Sequence, residues 1–514
     1  MNARFRPTFW QGVAIVIMLG GLWATLVRFT QGLGASTNLS DVFPWGIWIG
    51  FDVLVGVGLA AGGFTITAVV HLFGLKRFKP IVRPTILTAF LGYLLVIVGL
   101  LFDLGRPYRI WHPMIMWNPH SVMFEVAWCV TLYTTVLALE FSPIVLEKFK
   151  WHRLLRIVRA ITIPVVIVGV ILSTLHQSSL GTLYIIMPDK LYGLWYSPML
   201  PVFFFLSAIA GGLGMVIIES CLSARVFHRR LENDLLTDIG RVIVAVLALY
   251  LVVKFQDMAS HNAWSLFYTP GPERFLFVAE IGFGAIIPLI LFAFPAVRQD
   301  ASGRFCAALL VVLGFVLNRL NVATTGLQRG LGANYFPSIY ELAVTGMLIV
   351  MGFVAFAMAV KHLPIFLETT EEESAKTDRP SPQWVRYITR SALVGLGVVM
   401  LGGLALIDFS ASASATLLPA PQPGTIIDEP LTLPEDHVLP SGPDSPGKVT
   451  FRHSTHIDTR QPDCATCHAG MFSILKRTTQ PGGETMHTAD RCGKCHNGQQ
   501  AFNWEDNCTV CHEE

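Results

Sequence analysis

Long unbroken apolar runs dominate this chain, and polar residues gather in the gaps between them. A helix needs about 20 apolar residues to cross a bilayer core. Eleven stretches qualify, near 11–31, 46–73, 84–103, 121–143, 158–178, 199–223, 239–259, 275–296, 304–321, 338–361 and 387–408. The ninth carries Asn318 and Arg319 within it. The pattern predicts an all-α polytopic membrane protein of about eleven transmembrane helices, because a helix satisfies its own backbone in lipid. Met1 to Trp10 carries Arg4 and Arg6 ahead of a run long enough to span, so no cleavable leader is expected.

The polar gaps orient the helices. Lys76, Arg77, Lys79 and Arg83 share one connection, and Lys148, Lys150, Arg153, Arg156 and Arg159 another. Arg225, Arg229 and Arg230 lie in a third, and Arg298 and Arg304 flank a fourth. These are alternate loops on the side of Arg4 and Arg6, so that side is expected to be the cytoplasm. An odd number of spans then sends the C-terminus outside. The stretch "SASASATLLPAPQPGTIIDEPLTLPEDHVLPSGPDSP" is too polar and proline-rich to build a core and reads as an extended linker. The expected division is a transmembrane domain over 1–365, a connection and last span over 366–408, a linker over 409–448 and a small domain over 449–514.

"VGLAAGGFTIT" in the second run and "SAIAGGLGMVI" in the sixth share a cluster of small residues, four spans apart and in the same direction. Gly58 and Gly62 form a small-x-x-x-small pair that lets helices approach closely. The repeat suggests two four-helix bundles, spans two to five and six to nine, with the remaining helices peripheral. Composition agrees: 53% of residues are hydrophobic and 14% charged, against about a quarter charged in soluble domains. A net charge of +2 gives no ground for nucleic-acid binding.

Cysteine changes the picture. Of nine cysteines, Cys129, Cys221 and Cys306 stand alone in apolar runs and read as small core residues. The other six form three Cys-x-x-Cys-His units: Cys464, Cys467 and His468; Cys492, Cys495 and His496; Cys508, Cys511 and His512. That spacing lets two thiols add to the vinyl groups of one haem while the next histidine reaches its iron. Zinc also uses paired Cys-x-x-Cys, but it does not require a histidine directly after each pair. Three covalent c-type haems are therefore expected. His453, His456 and His487 are the remaining histidines of the segment, with Met471 and Met486 as rival axial ligands. Bis-histidine iron has no open position and suits electron transfer. So short a segment would have the haems themselves as its core.

This segment resembles the small three-haem members of the class III cytochromes c. The likeness lies in "FRHSTH", the three attachment units, and a histidine five residues before the first cysteine of the second unit. The resemblance implies that His453 ligates the first haem, His456 the second and His487 the third. Covalent haem is attached outside the bacterial inner membrane, so a periplasmic C-terminus is expected, in agreement with the basic loops.

Charged residues at bilayer depth cost about 2.5–3.5 kcal/mol on insertion scales and are functional candidates by default. Asp52, Asp103, Glu125, His176, Gln177, Asp257 and Glu341 lie towards the expected periplasmic ends; Lys254 and Glu280 are deeper. His71, Glu140 and Glu219 lie towards the other face. Some, such as Lys254 and Asp257 at i,i+3, can pair structurally. His176, Asp103 and Glu125 are candidates to line a quinone site, and Glu140 and Glu219 to begin a proton path from the cytoplasm.

The blocks "GVGLAAGGF", "FDLGRPYRIWHP", "WNPHSVMFEVAW", "LHQSSLGTLY" and "SPMLPVFFFLSA" resemble the NrfD/polysulfide-reductase family of quinone-interacting subunits, most closely the membrane subunits of hydrogenase-2 complexes. The likeness spans roughly residues 10–365. It implies a subunit that exchanges electrons between menaquinone and a periplasmic iron–sulfur partner, with Asp103, Arg106, Glu125, His176 and Gln177 at the quinone or proton site. The added span and cytochrome segment leave the partner open between an iron–sulfur subunit, a hydrogenase and a multihaem cytochrome. They also leave open an outward flow from quinol to cytochrome, and a helical part that is an ion transporter or a passive anchor.

Overall fold

The computed structural model describes residues 9–366 except 41, 188, 189 and 270, then 385, 391, 392, 394 and 395. In the C-terminal part it describes 433, 436–439, 447–457, 492, 495–498, 501–503 and 508–513. The chain divides into two units, 1–411 and 412–514, each taken here by itself.

Ten helices among the described residues are long and apolar enough to span: Phe9–Gln31, Trp48–His71, Lys76–Asp103, Val122–Lys148, Thr162–Ile185, Leu200–Val226, Asn233–Ser260, Glu273–Ala293, Ala301–Leu331 and Ile339–His362. The expected eleventh, 387–408, lies outside the described residues apart from four positions. Spans two to five pack into one four-helix bundle and spans six to nine into another, while the first and tenth pair with each other and lie along the third. The two bundles meet where the sequence repeat predicts. Gly62 and Gly212, equivalent positions of the two motifs, face each other, and a Cβ on Gly62 would stand 2.6 Å from the Gly212 carbonyl oxygen.

Among the spans that run past their expected ends, the third, fifth and ninth each do so for a local reason. The third begins at Lys79, with Pro80 in its first turn where no amide hydrogen is needed. The fifth continues to Ile185, where Thr182 bonds the backbone carbonyl one turn back and so carries its own polarity. The ninth continues to Leu331 through a π-helical turn, Asn321–Thr325, and stops at Gly332 with φ of 62°. Its Arg319 is fully buried. It bonds Ser207 Oγ at 2.9 Å, the Phe204 carbonyl at 3.1 Å and Asn318 Oδ1 at 2.5 Å, and its guanidinium lies 3.7 Å from the centre of the Phe204 ring.

The connection between spans four and five is not a plain loop. His152–Ala160 is a strongly amphipathic helix whose Leu155 and Val158 are buried while Arg153, Arg156 and Arg159 face outward.

In the C-terminal unit three short strands form an antiparallel sheet, β1 (His437–Leu439), β2 (Lys448–Phe451) and β3 (His512–Glu513), with β2 in the middle. β1 falls within the segment read as linker. It is held by pairing His437 with Phe451 and by an Asp436–Arg452 ion pair at 3.1 Å.

Candidate functional site

The fourth and fifth spans face each other with polar residues at helical spacing. Glu125, Cys129, Tyr133, Leu137 and Glu140 run down one side of the fourth; Ser179, His176, Ser173 and Gly169 run down the fifth. Ser179 Oγ donates to Glu125 Oε1 at 2.5 Å. One turn deeper, His176 Nδ1 and the Tyr93 hydroxyl of the third span are 2.8 Å apart, and Gln177 Nε2 donates to the Val57 carbonyl of the second span at 3.1 Å. The Tyr93 and Tyr133 rings meet edge to face, 4.7 Å between centres. Below them, a Cβ on Gly169 would lie 3.0 Å from Val136 Cγ1, so glycine lets the two helices close here, with Glu140 Oε1 and the Tyr133 ring beside it.

His176 and Gln177 are fully enclosed. His176 Nε2 and Gln177 Oε1 are buried with no hydrogen-bond partner among the described residues, and below them the Tyr133 hydroxyl and Ser173 Oγ are enclosed within reach of each other across the two helices. Buried polar atoms are almost always paired, and each exception asks for an explanation. His176 Nε2 and Gln177 Oε1, with the enclosed hydroxyls below them, mark a place where protons or ordered water belong. From Glu125 to Glu140 is fifteen residues of helix, about 22 Å, most of a roughly 30 Å hydrocarbon core. Glu125 itself is half-buried, and an aromatic group of Trp117, Phe124 and Trp128 flanks it, with Trp117 and Trp128 centres 5.0 Å apart.

The other expected residues lie elsewhere. Asp103 closes the third span, its Oδ1 enclosed without a partner, beside Arg28 of the first span. Arg28 donates to the carbonyls of Phe102 and Leu104, both at 2.7 Å. Arg106 is exposed in the following loop, so the fold does not bring it to His176. Asp52 accepts from Thr345 Oγ1 at 2.9 Å. Glu341 accepts from the backbone of Ser338 and Asn38 and, at 2.6 Å, from the Tyr335 hydroxyl. Burial and that carboxylate hold the Tyr335 phenol well above its usual range, so it stays a donor. In the second bundle Glu280 is fully satisfied, by Trp195 Nε1 at 2.8 Å, Asn318 Nδ2 at 2.7 Å and Asn321 Nδ2 at 2.8 Å. Asp257 stands 3.4 Å from His261, and the Lys254 ammonium lies over the rings of Phe203 and Phe277. Glu219 bonds Ser223, and His71 the Thr67 carbonyl. Tyr93, Tyr133, Ser173 and Ser179 were not singled out by the sequence; hydroxyls inside apolar runs read as packing.

In the C-terminal unit the described ligand candidates are His453, His456, His496, His512, Cys492, Cys495 and Cys511, with Cys508 in the helical turn Cys508–Cys511. Cys464, Cys467, His468 and His487 lie outside the described residues. A c-type haem fits what is described. Two imidazoles on opposite sides of one metal, at bonds of about 2 Å, put their ring centres about 6 Å apart. His456 and His496 have ring centres 6.1 Å apart. His456 Nδ1 lies 3.0 Å from the Arg452 carbonyl, and His512 Nδ1 lies 3.1 Å from that of Gly447. A Nδ1–H donated to a carbonyl orients the ring and leaves Nε2 for iron.

Residues 35–329 match the family model described as Polysulphide reductase, NrfD, and residues 449–513 match Cytochrome c7 and related cytochrome c. A protein of Nitratidesulfovibrio vulgaris is 41% identical over 70% of this chain and 95% of its own length. The probable Ni/Fe-hydrogenase 2 b-type cytochrome subunit of Escherichia coli is 32% identical over 66% of this chain and 87% of its own. The menaquinone reductase integral membrane subunit of N. vulgaris is 26% identical over 70% and 92%. Ten described spans, eight of them in two four-helix bundles, and a small domain of cytochrome c7 type agree with these matches: the chain belongs to the polysulphide reductase NrfD family, as a membrane subunit carrying a C-terminal multihaem cytochrome c domain.

Proposed function

We propose that this chain is the quinone-interacting subunit of a respiratory oxidoreductase complex, passing electrons between the menaquinone pool and periplasmic redox partners through three c-type haems. The relatives named for hydrogenase and menaquinone reductase complexes support this reading, and so do the attachment units. A periplasmic iron–sulfur subunit, a hydrogenase or a multihaem cytochrome is the partner class. The membrane is the bacterial inner membrane, with the N-terminus cytoplasmic and the haem domain periplasmic.

The observation that carries the proposal is the string of enclosed polar atoms behind Glu125. Quinone chemistry moves protons with electrons, so a site needs a group that bonds the quinone oxygen and a route for the proton. Glu125, half-buried among Trp117, Phe124 and Trp128 and bonded to Ser179, has an apolar wall and a carboxylate for that contact. His176, enclosed one turn deeper against Tyr93, passes the proton on and Gln177 holds the helix register. Ser173, Tyr133 and Glu140 continue the route towards the basic end. Asp103, with its enclosed oxygen beside Arg28, serves proton exchange at the periplasmic end. When bound, the haems supply one-electron carriers in series.

Quenching of Trp117 and Trp128 fluorescence by a naphthoquinone tests the site directly. Saturable quenching in the full chain, reduced in amplitude in Trp128→Leu and weakened at least tenfold in affinity by Glu125→Leu, is expected. Quenching that is linear in quinone, or indifferent to Glu125, places the quinone elsewhere.

A further inference from the structure

At the basic end of the first bundle a cavity of about 390 Å³ opens between the ends of spans two to five and the helix His152–Ala160. Ligand pockets run from about 300 Å³ upwards, whereas one water needs only about 15 Å³. The cavity is therefore far larger than a proton path requires.

Its lining is layered. Lys79, Arg83 and Arg159 stand at the rim with Glu147. Val82, Ile86, Ile144 and Val166 form the walls, and Glu140 the floor. Glu140 lies seven residues before Glu147 on one helix, about 10 Å deeper. Glu147 accepts two bonds from Arg83, at 3.1 and 2.8 Å, and one from Arg159 at 2.8 Å. Three cations against the two carboxylates of the lining, Glu147 at the rim and Glu140 at the floor, leave at least one positive charge uncompensated, while the apolar walls exclude a wholly water-soluble ligand. The roof carries Arg153 and Arg156 beside exposed Leu154, Ile157, Phe149 and Trp151. That is the composition of a helix lying in the plane of an anionic headgroup layer.

We infer that this cavity binds one anionic phospholipid, its phosphate between Lys79 and Arg159 and the first part of its chains along the apolar walls. The occupant is anionic because the rim surplus is positive, and a lipid because the wall is apolar. The inference stands apart from the quinone reading, which concerns the opposite end of the bundle. A head group above Glu140 would nevertheless govern how much water reaches the polar string.

The test is native mass spectrometry on the full, haem-loaded chain, stripped of lipid in detergent and titrated with dioleoylphosphatidylglycerol or dioleoylphosphatidylcholine. One phosphatidylglycerol should bind at least tenfold more tightly than phosphatidylcholine. The pair Lys79→Gln with Arg159→Gln should abolish that preference while the c-type absorption spectrum and monodisperse elution stay unchanged. Arg153→Gln with Arg156→Gln removes the same charge from the roof's outer face and should keep the preference within twofold. Equal binding of the two lipids, equal loss in both double variants, or displacement of phosphatidylglycerol by a menaquinone analogue would each overturn the inference.

Discussion

Glu280 sits in the second bundle with almost no exposure, close to Lys254 and Arg319, which are buried too. Unlike His176 it lacks nothing: three N–H donors take its two oxygens. This satisfaction predicts a structural role, and Glu280→Gln measures it. The amide keeps one carbonyl oxygen, which can still accept from Trp195 and Asn321. Its new NH2 then faces Asn318 Nδ2, donor against donor. Asn318 cannot turn over to help, because its Oδ1 already accepts from Arg319 at 2.5 Å. Two donors are left facing each other without an acceptor, at about 1–3 kcal/mol each, and two buried cations lose a compensating charge. Removing one partner of such a set costs about 3–5 kcal/mol, which we take for the whole change. Unfolding of the helical domain in mixed micelles, followed by tryptophan fluorescence, should show that loss. The initial rate of haem reduction by quinol, per folded molecule, should stay within twofold. A variant as stable as the parent but slowed tenfold or more would refute the reasoning and make Glu280 part of the reaction path.

Three further outcomes follow from particular contacts. Gly62→Leu drives a side chain into the Gly212 backbone and should prevent the bundles from joining, read as loss of monodisperse protein after extraction. Tyr335→Phe leaves the Ile47 N–H without its acceptor and Glu341 Oε1 without its donor; at about 1–3 kcal/mol each, the stability read by thermal unfolding should fall by roughly 2–6 kcal/mol. His456→Ala should convert one haem from low to high spin by electron paramagnetic resonance, with haem content unchanged; an unaltered spectrum would remove His456 from the ligand set.

Much of this fold is visible in the sequence because the bilayer asks for little more than twenty apolar residues, and each described span supplies them. The ends are harder to read, since a charge counts against a span unless its partner is known. Arg319 looks like a boundary until Phe204, Ser207 and Asn318 gather round it from a neighbouring helix and its own. Lys79 and Arg83 look like loop residues, yet they open the third span. The candidate site was half legible. Glu125, His176 and Gln177 stand out as polar residues in apolar runs, and the fold brings them onto facing helices. Tyr93, which holds His176, has no such signal, because a tyrosine in an apolar run is ordinarily core. Arg106, carried from the same sequence block as Asp103, stands exposed in the loop after the third span. The basic helix His152–Ala160 was hidden by its brevity, although Leu155 and Val158 at i,i+3 carry the signature.

The central claim is that quinol and haem exchange electrons through the Glu125–His176 region. Stopped-flow mixing of the full chain with a menaquinol analogue, followed at the c-type absorption band, tests it most directly in the parent, Glu125→Gln and His176→Asn. The account predicts rapid haem reduction in the parent and at least a tenfold slower first turnover in both variants, with dithionite still reducing every haem. Equal rates in all three would contradict it and leave the helices as an anchor for the cytochrome.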